Sequence, residues 1–213
     1  MRRRLVAWIL FVGLITAVAY ASRFTAGPPD RNALYQWSTA ISELVVFAVI
    51  VVVTLAIAGS HHALLALRRP RSWRRAVTVA LPLFIAVFVA VSALDRALHG
   101  AREQGIVPKH WEPRHASAFA ASFVVVAFVA PFTEELLFRG LGYSLLERYL
   151  GRWPTIVAIG IAFGLYHGLV EALPELALFG CALAWLRSRT GSVFPGMLVH
   201  ATFNAVGLLS VFL

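Results

Sequence analysis

Seven side chains in the second half of the sequence have types and spacings suited to acid–base chemistry. The stretch PFTEELLFRG, residues 131–140, sets Glu134 beside Glu135 and places Arg139 four residues beyond Glu135. FGLYH, residues 163–167, places Phe163 four residues before His167, and HATFN, residues 200–204, places His200 four residues before Asn204. A carboxylate can take a proton from water, and an imidazole or a carboxamide can hold water or donate to a negative oxygen. On a helix, residues four apart share a face. Glu135 and Arg139 can therefore pair, Phe163 can pack beneath His167, and His200 and Asn204 project together. Each signal alone has a blander reading: a helix salt bridge, a hydrogen-bonded packing histidine, an asparagine gluing two helices.

The setting of these residues sharpens the question. Residues 116–132 carry no Asp, Glu, Lys or Arg. The whole chain of 213 residues is 60% hydrophobic and 14% charged, where a soluble domain holds about 25% charged residues. That balance predicts an integral membrane protein, all-α, folded as one polytopic bundle over residues 1–213. A spanning helix needs about 20 apolar residues. Seven stretches qualify as candidates: Leu5–Ala21, Ser38–Ala58, Ala76–Leu94, Ala116 to roughly Leu146, Pro154–Val170, Leu173–Leu186 and Ser192–Phe212. The first also has the form of a signal peptide, with MRRR, an apolar run and AYA before Ser22, and is read here as a retained helix. The fourth is too long for one straight crossing and contains Pro131, which predicts a kink. The sixth is short, with Pro174 suited to its first turn and an outer end suited to a re-entrant segment.

The formal net charge is +9. The arginines cluster between apolar runs, so the charge is read as orienting the chain in a membrane and not as a nucleic-acid footprint. Twelve basic residues, in segments 2–4, 68–75, 148–152 and 187–189, fall on one side of the predicted spans, and six fall on the other. The positive-inside rule then predicts a cytoplasmic amino terminus. Cys181 is the only cysteine, which excludes an intrachain disulfide. His61 and His62 read as interfacial. His99, His110 and His115 read as a solvated outer loop with Trp111 at the interface, and Glu171 and Glu175 as lip or cap residues.

Charges within a span are costly and point to function. Glu134 stands 14 residues before Arg148, His167 13 residues after Pro154, and His200 8 residues after Ser192. At a rise of 1.5 Å per residue, all three lie roughly 12–21 Å from the same face. Three helices thus bring a carboxylate and two imidazoles to similar depth, which the bland readings do not anticipate.

The three motifs, in this order, resemble those of the CPBP family of intramembrane proteases, the CAAX proteases and bacteriocin-processing enzymes also called Abi. EELLFRG is similar to the family's EExxxR motif, FGLYH to its FxxxH motif and HATFN to its third motif. RSRTGSVFPGMLVHATFN is similar to the family's approach to that third motif. The resemblance covers roughly residues 116–213, the expected catalytic core, and residues 1–115 resemble the family only as generic spans. It implies an intramembrane endopeptidase, similar to type II CAAX prenyl endopeptidases. In that scheme Glu134 is the general base, His167 holds and polarises the water, and His200 and Asn204 donate to the oxyanion, with Glu135, Arg139 and Phe163 in support.

A metal reading competes. Glu134, His167 and His200 form a one-carboxylate, two-histidine set of the kind that holds catalytic zinc. Against it stand the lack of a His-Glu-x-x-His motif and the poor ligand quality of Asn204, so the metal-free reading is preferred and zinc is the cofactor of the alternative. The expected substrate is a membrane protein or a lipid-anchored peptide within the lipid bilayer, and the expected place is a bacterial inner membrane. Two other functions are weighed: a sorting peptidase that removes carboxyl-terminal anchor tags, and a non-catalytic bacteriocin-immunity protein or carrier. The intact polar set argues against the last. A carrier would more often show repeated halves with broken helices.

Overall fold

The computed structural model describes residues 1–25, 27, 30–105, 107–108 and 110–212, and among them the regular structure is entirely helical. In chain order the main helices are α1 (Arg2–Thr25), α2 (Trp37–Ala58), α3 (Trp73–Leu98), the short α4 (Gly100–Gln104) and the long α5 (Pro113–Leu150). Then follow α6 (Arg152–Tyr166), α7 (Leu173–Thr190) and α8 (Phe194–Leu209). Lys109, one of the basic residues counted for the outer side, lies outside the described residues.

Helices occupy all seven predicted spans. Five are long and apolar enough to cross a membrane: α1, α2, α3, α5 and Phe194–Phe212, the last being α8 with its 3₁₀ extension. They carry a surface of exposed Val, Leu, Ile and Phe, among them Leu10, Val52, Leu81 and Leu198. In water such a surface would be untenable, and in lipid it is the expected outer face. The chain is an integral, multi-pass helical membrane protein.

The other two spans differ in detail from expectation. Helix α6 ends at Tyr166, short of Val170, because Gly168 takes a left-handed φ of 67° and turns the chain, a conformation glycine adopts without steric cost. Its 15 residues reach only about 22 Å, less than a hydrocarbon core of about 30 Å. Helix α7 has Pro174 in its first turn, as predicted, but runs on past Leu186 to Thr190 as one helix of 18 residues.

Helix α5 holds the largest departure. The irregularity expected at Pro131 takes the form of two π-helical stretches, Val125–Val129 and Glu135–Gly142, on either side of the α-helical Ala130–Glu134. Proline lacks an N–H and its ring presses on the preceding turn, so a widened turn just upstream relieves both problems. The π stretches direct backbone carbonyls to partners on other helices. Val126 O accepts from Asn204 Nδ2 at 2.9 Å, Leu137 O from Trp8 Nε1 at 3.0 Å, and Arg139 O from Arg187 Nε at 3.1 Å. Side chains of α8, α1 and α7 thereby fasten α5 in the middle of the bundle.

In lipid, helices associate through close packing more than through apolar burial, and small residues permit it. Gly160 of α6 and Gly180 of α7 meet backbone to backbone: a Cβ added at Gly180 would lie 2.8 Å from the Gly160 Cα. The principal core joins Trp8, Phe138, Phe163, Tyr166 and Phe179 around this contact. A second aromatic cluster gathers Tyr35, Phe119 and Trp111 near the end of α8. Trp111, expected as the interfacial residue of its loop, packs there, with its ring centroid 4.6 Å from that of Phe212.

Candidate active site

Glu134 closes the α-helical stretch of α5 and Glu135 opens the second π-helical stretch. Both are buried, as are Arg139 and His200. Burying an ion in lipid is costly unless partners compensate. The guanidinium of Arg139 meets Glu135, with Nη1 3.0 Å from Oε1, and Nη2 donates to the Gly180 carbonyl at 3.0 Å. Its guanidinium carbon also lies over the Phe163 ring, 4.3 Å from the centroid, a cation–π arrangement. The glycine contact between α6 and α7 therefore does more than pack helices, since it presents the carbonyl that Arg139 uses.

His200 enters from α8 and stands between the two glutamates. Its Nδ1 is 3.3 Å from Glu135 Oε1 and its Nε2 is 3.6 Å from Glu134 Oε2. Helix α8 comes this close because residue 196, one turn earlier, is glycine: a Cβ there would lie 2.6 Å from Glu135 Oε2. A carboxylate oxygen only accepts, so the 3.3 Å contact with Glu135 is a hydrogen bond when Nδ1 carries the proton. Neutral His200 then offers the lone pair of Nε2 toward Glu134.

His167 caps the carboxyl end of α6, where its Nδ1 donates to the Phe163 carbonyl at 2.8 Å. The same logic leaves its Nε2 as an acceptor in the neutral ring. Both imidazoles pack edge-on against the Phe163 ring, with centroid distances of 4.8 Å for His167 and 5.7 Å for His200. Phe163 is thus the shared wall of the site, and Phe179 closes it at 5.1 Å from His200. Asn204 gives one N–H to the Val126 carbonyl, and its second N–H remains for another acceptor.

The contact between His200 and Glu135 had no sequence signal of its own. The four-residue spacing gave Glu135 a partner in Arg139, and the π-helical turn that carries Glu135 to α8 is not written in residue types. Arg187 does more than orient the chain. It is 7% exposed and holds the Arg139 carbonyl and Ser144 Oγ. Phe179 and Gly196 were likewise unmarked.

The residues offered for zinc do not assemble as a ligand set. Among the described residues no three His, Cys, Asp or Glu side chains are grouped as a metal would need. His200 Nδ1 faces a carboxylate and His167 Nδ1 a carbonyl, which leaves Nε2 of each ring free, as in many metal-bound histidines too, so the spacing of the groups and not their ring nitrogens is what fails to fit a metal.

Comparison with known proteins bears on this part of the chain. Residues 116–206 match the family model of type II CAAX prenyl endopeptidase Rce1-like proteins. CAAX prenyl protease 2 of Homo sapiens is 28% identical over a 103-residue alignment that covers 39% of this chain and 31% of that protein. The match thus spans about a third of the length of the human relative. No solved structure matches. The likeness to the CAAX-protease family lies on the segment that holds Glu134, Glu135, Arg139, Phe163, His167, His200 and Asn204.

Proposed function

Proceeding from a helical core similar to type II CAAX prenyl endopeptidases, we propose that this chain is an intramembrane endopeptidase that hydrolyses a peptide bond in a membrane protein or lipid-anchored peptide. The observation that carries this reading is the approach of Glu134 Oε2 to His200 Nε2, 3.6 Å apart within a buried cluster. A water would donate one hydrogen to Glu134 Oε2 and the other to an imidazole Nε2, that of His200 or, in its place, that of His167, and so face a carboxylate base and an oriented ring. Glu134 takes a proton as the water oxygen attacks the scissile carbonyl carbon. Asn204 donates to the resulting oxyanion through its free N–H, and His200 does so from Nε2 once that nitrogen has taken the water's second proton. Glu134 then returns its proton to the leaving amine as the C–N bond breaks. General acid–base help of this kind contributes about 10²–10⁴ in rate, and an oxyanion donor about 10²–10³.

Glu135 and Arg139 act as positioning residues. They set the tautomer of His200, much as a carboxylate orients a catalytic imidazole elsewhere. The catalytic core is read as residues 116–213, and the Arg-, Ala- and Val-rich composition supports a bacterial cell membrane as its place, amino terminus cytoplasmic. Cleavage of a membrane-anchored reporter before and after exhaustive chelation, then with added zinc, tests the metal-free chemistry. Unchanged rates are expected. Activity abolished by the chelator and restored by zinc would overturn it.

A further inference from the structure

Away from the glutamates, a cavity of about 440 Å³ opens between the amino-terminal end of α3 and the facing ends of α6 and α7. Four arginines line it, Arg71, Arg75, Arg152 and Arg189, together with Ser188 and Trp185, and no carboxylate does. Orienting charges need only lie near a membrane face, and nothing requires them to converge on a hollow. Two of the guanidinium groups are also held in place without a counter-ion. Arg152 Nε donates to Ser188 Oγ at 3.2 Å, and its guanidinium lies over the Trp153 ring at 5.1 Å. Arg189 lies over the Trp185 ring at 5.2 Å. Arg152 Nη2 is buried and has no hydrogen-bond partner.

Ala76 lines this cavity and also a second, apolar groove of about 330 Å³ between α3 and α8, walled by Leu81, Phe84 and Leu198. From Arg75 to Phe84 the helix rises about 13 Å. Along that length α3 passes from a cationic hollow to a hydrocarbon-lined groove with exposed Leu81 and Leu198 on the lipid face. A free anion would use only the upper part. A ligand that uses both has a phosphate head and an acyl chain. We propose that this track binds an anionic phospholipid, with the phosphodiester against Arg71, Arg75, Arg152 and Arg189 and one chain along the α3–α8 groove. Basic pockets between spanning helices are a recurrent way to hold such headgroups.

The test uses the purified full chain in neutral detergent micelles doped with phosphatidylglycerol, with phosphatidylcholine, or with soluble glycerol phosphate. Native mass spectrometry reads retained lipid and a melting curve reads stabilisation. Phosphatidylglycerol is expected to be retained at least tenfold more tightly than phosphatidylcholine. It should raise Tm by about 3–6 °C at ten times its Kd, with an effect that shrinks in high salt. Arg152→Gln combined with Arg189→Gln should lose this preference, and Arg74→Gln, on the exposed side of α3, should keep it. Equal retention of the two lipids by the wild-type chain overturns the proposal even where the double variant fails to fold. Undiminished binding by a folded double variant also overturns it. Glycerol phosphate that stabilises and displaces the lipid at equal concentration overturns the lipid source in favour of a soluble phosphate ester.

Discussion

The Nδ1 of His200 lies 3.3 Å from Oε1 of Glu135. On the proposed mechanism that contact gives the second glutamate of the EE pair two tasks at once: it pairs with Arg139 and it sets which nitrogen of His200 carries the proton. Stability and chemistry therefore meet in a single carboxylate, and substitutions can pull them apart.

Removing one member of the buried pair should be costly. Arg139→Ala leaves Glu135 without its counter-ion and the Gly180 carbonyl without its donor, a loss of about 3–5 kcal/mol. Removing both charges, with Glu135→Leu and Arg139→Met, should recover much of that stability, because an apolar pair of similar volume is tolerated where a lone ion is not. Activity should not return, since His200 then lacks the carboxylate that orients it. Melting curves and cleavage rates of the three proteins check this. A double variant that is both stable and fully active would remove Glu135 from the positioning role.

The close approach of α6 and α7 should not tolerate a methyl group. Gly180→Ala sets a Cβ 2.8 Å from the Gly160 Cα and 2.9 Å from its carbonyl oxygen. The helices must part, which shifts the residue-180 carbonyl that accepts from Arg139, at about 1–3 kcal/mol, the usual cost of overpacking. Gly13→Ala is the control. Nothing lies within 4 Å of a Cβ there, and alanine in mid-helix should stabilise by up to about 1 kcal/mol. Denaturation in a common detergent compares the two. Equal stability of Gly180→Ala and wild type would show that the backbone contact is loose.

How far the sequence foretold this arrangement varies by residue. Spacing and span depth were enough to put Glu134, His167 and His200 on three helices at similar height, because helical rise is nearly invariant. The pairing of Glu135 with Arg139 follows from the same regularity. The π-helical turns do not, since no residue type marks them apart from Pro131, and with them went the contact of His200 with Glu135 and the anchoring of α5 by Trp8, Arg187 and Asn204. The sequence reads α6 four residues too long because apolar character continues through Leu169 and Val170 after the helix has stopped at Tyr166.

An outer latch should respond to acid. Glu103 of α4 accepts from the backbone N–H groups of Val170, Glu171 and Ala172 at 2.9, 2.7 and 3.1 Å and pairs with Arg23 at 3.2 Å. Burial alone would raise its pKa, but the three backbone donors and Arg23 outweigh that and hold the carboxyl below its ordinary 4.5. A depressed carboxyl stabilises the fold fully above the ordinary value and ceases to do so as pH falls through the depressed one. The turn after α6 should thus hold from neutral pH to about 5 and loosen below 4.5 as Glu103 takes up a proton. Hydrogen exchange at residues 170–172, corrected for intrinsic rates, reads this directly. Glu103→Ala should show fast exchange there already at pH 7, and protection equal to wild type in that variant would contradict the latch.

The central claim is that Glu134 is the base. Its most direct test is cleavage, by purified protein in vesicles, of a membrane-anchored protein whose processing in cells depends on this chain, with a melting curve taken beside it. Glu134→Gln keeps the shape and hydrogen-bonding reach of the side chain but cannot take the proton of water. The account predicts a folded Glu134→Gln protein with nearly all cleavage lost, and Asn204→Ala slowed by about 10²–10³, as for an oxyanion donor. A folded Glu134→Gln protein that cleaves at the wild-type rate would contradict it.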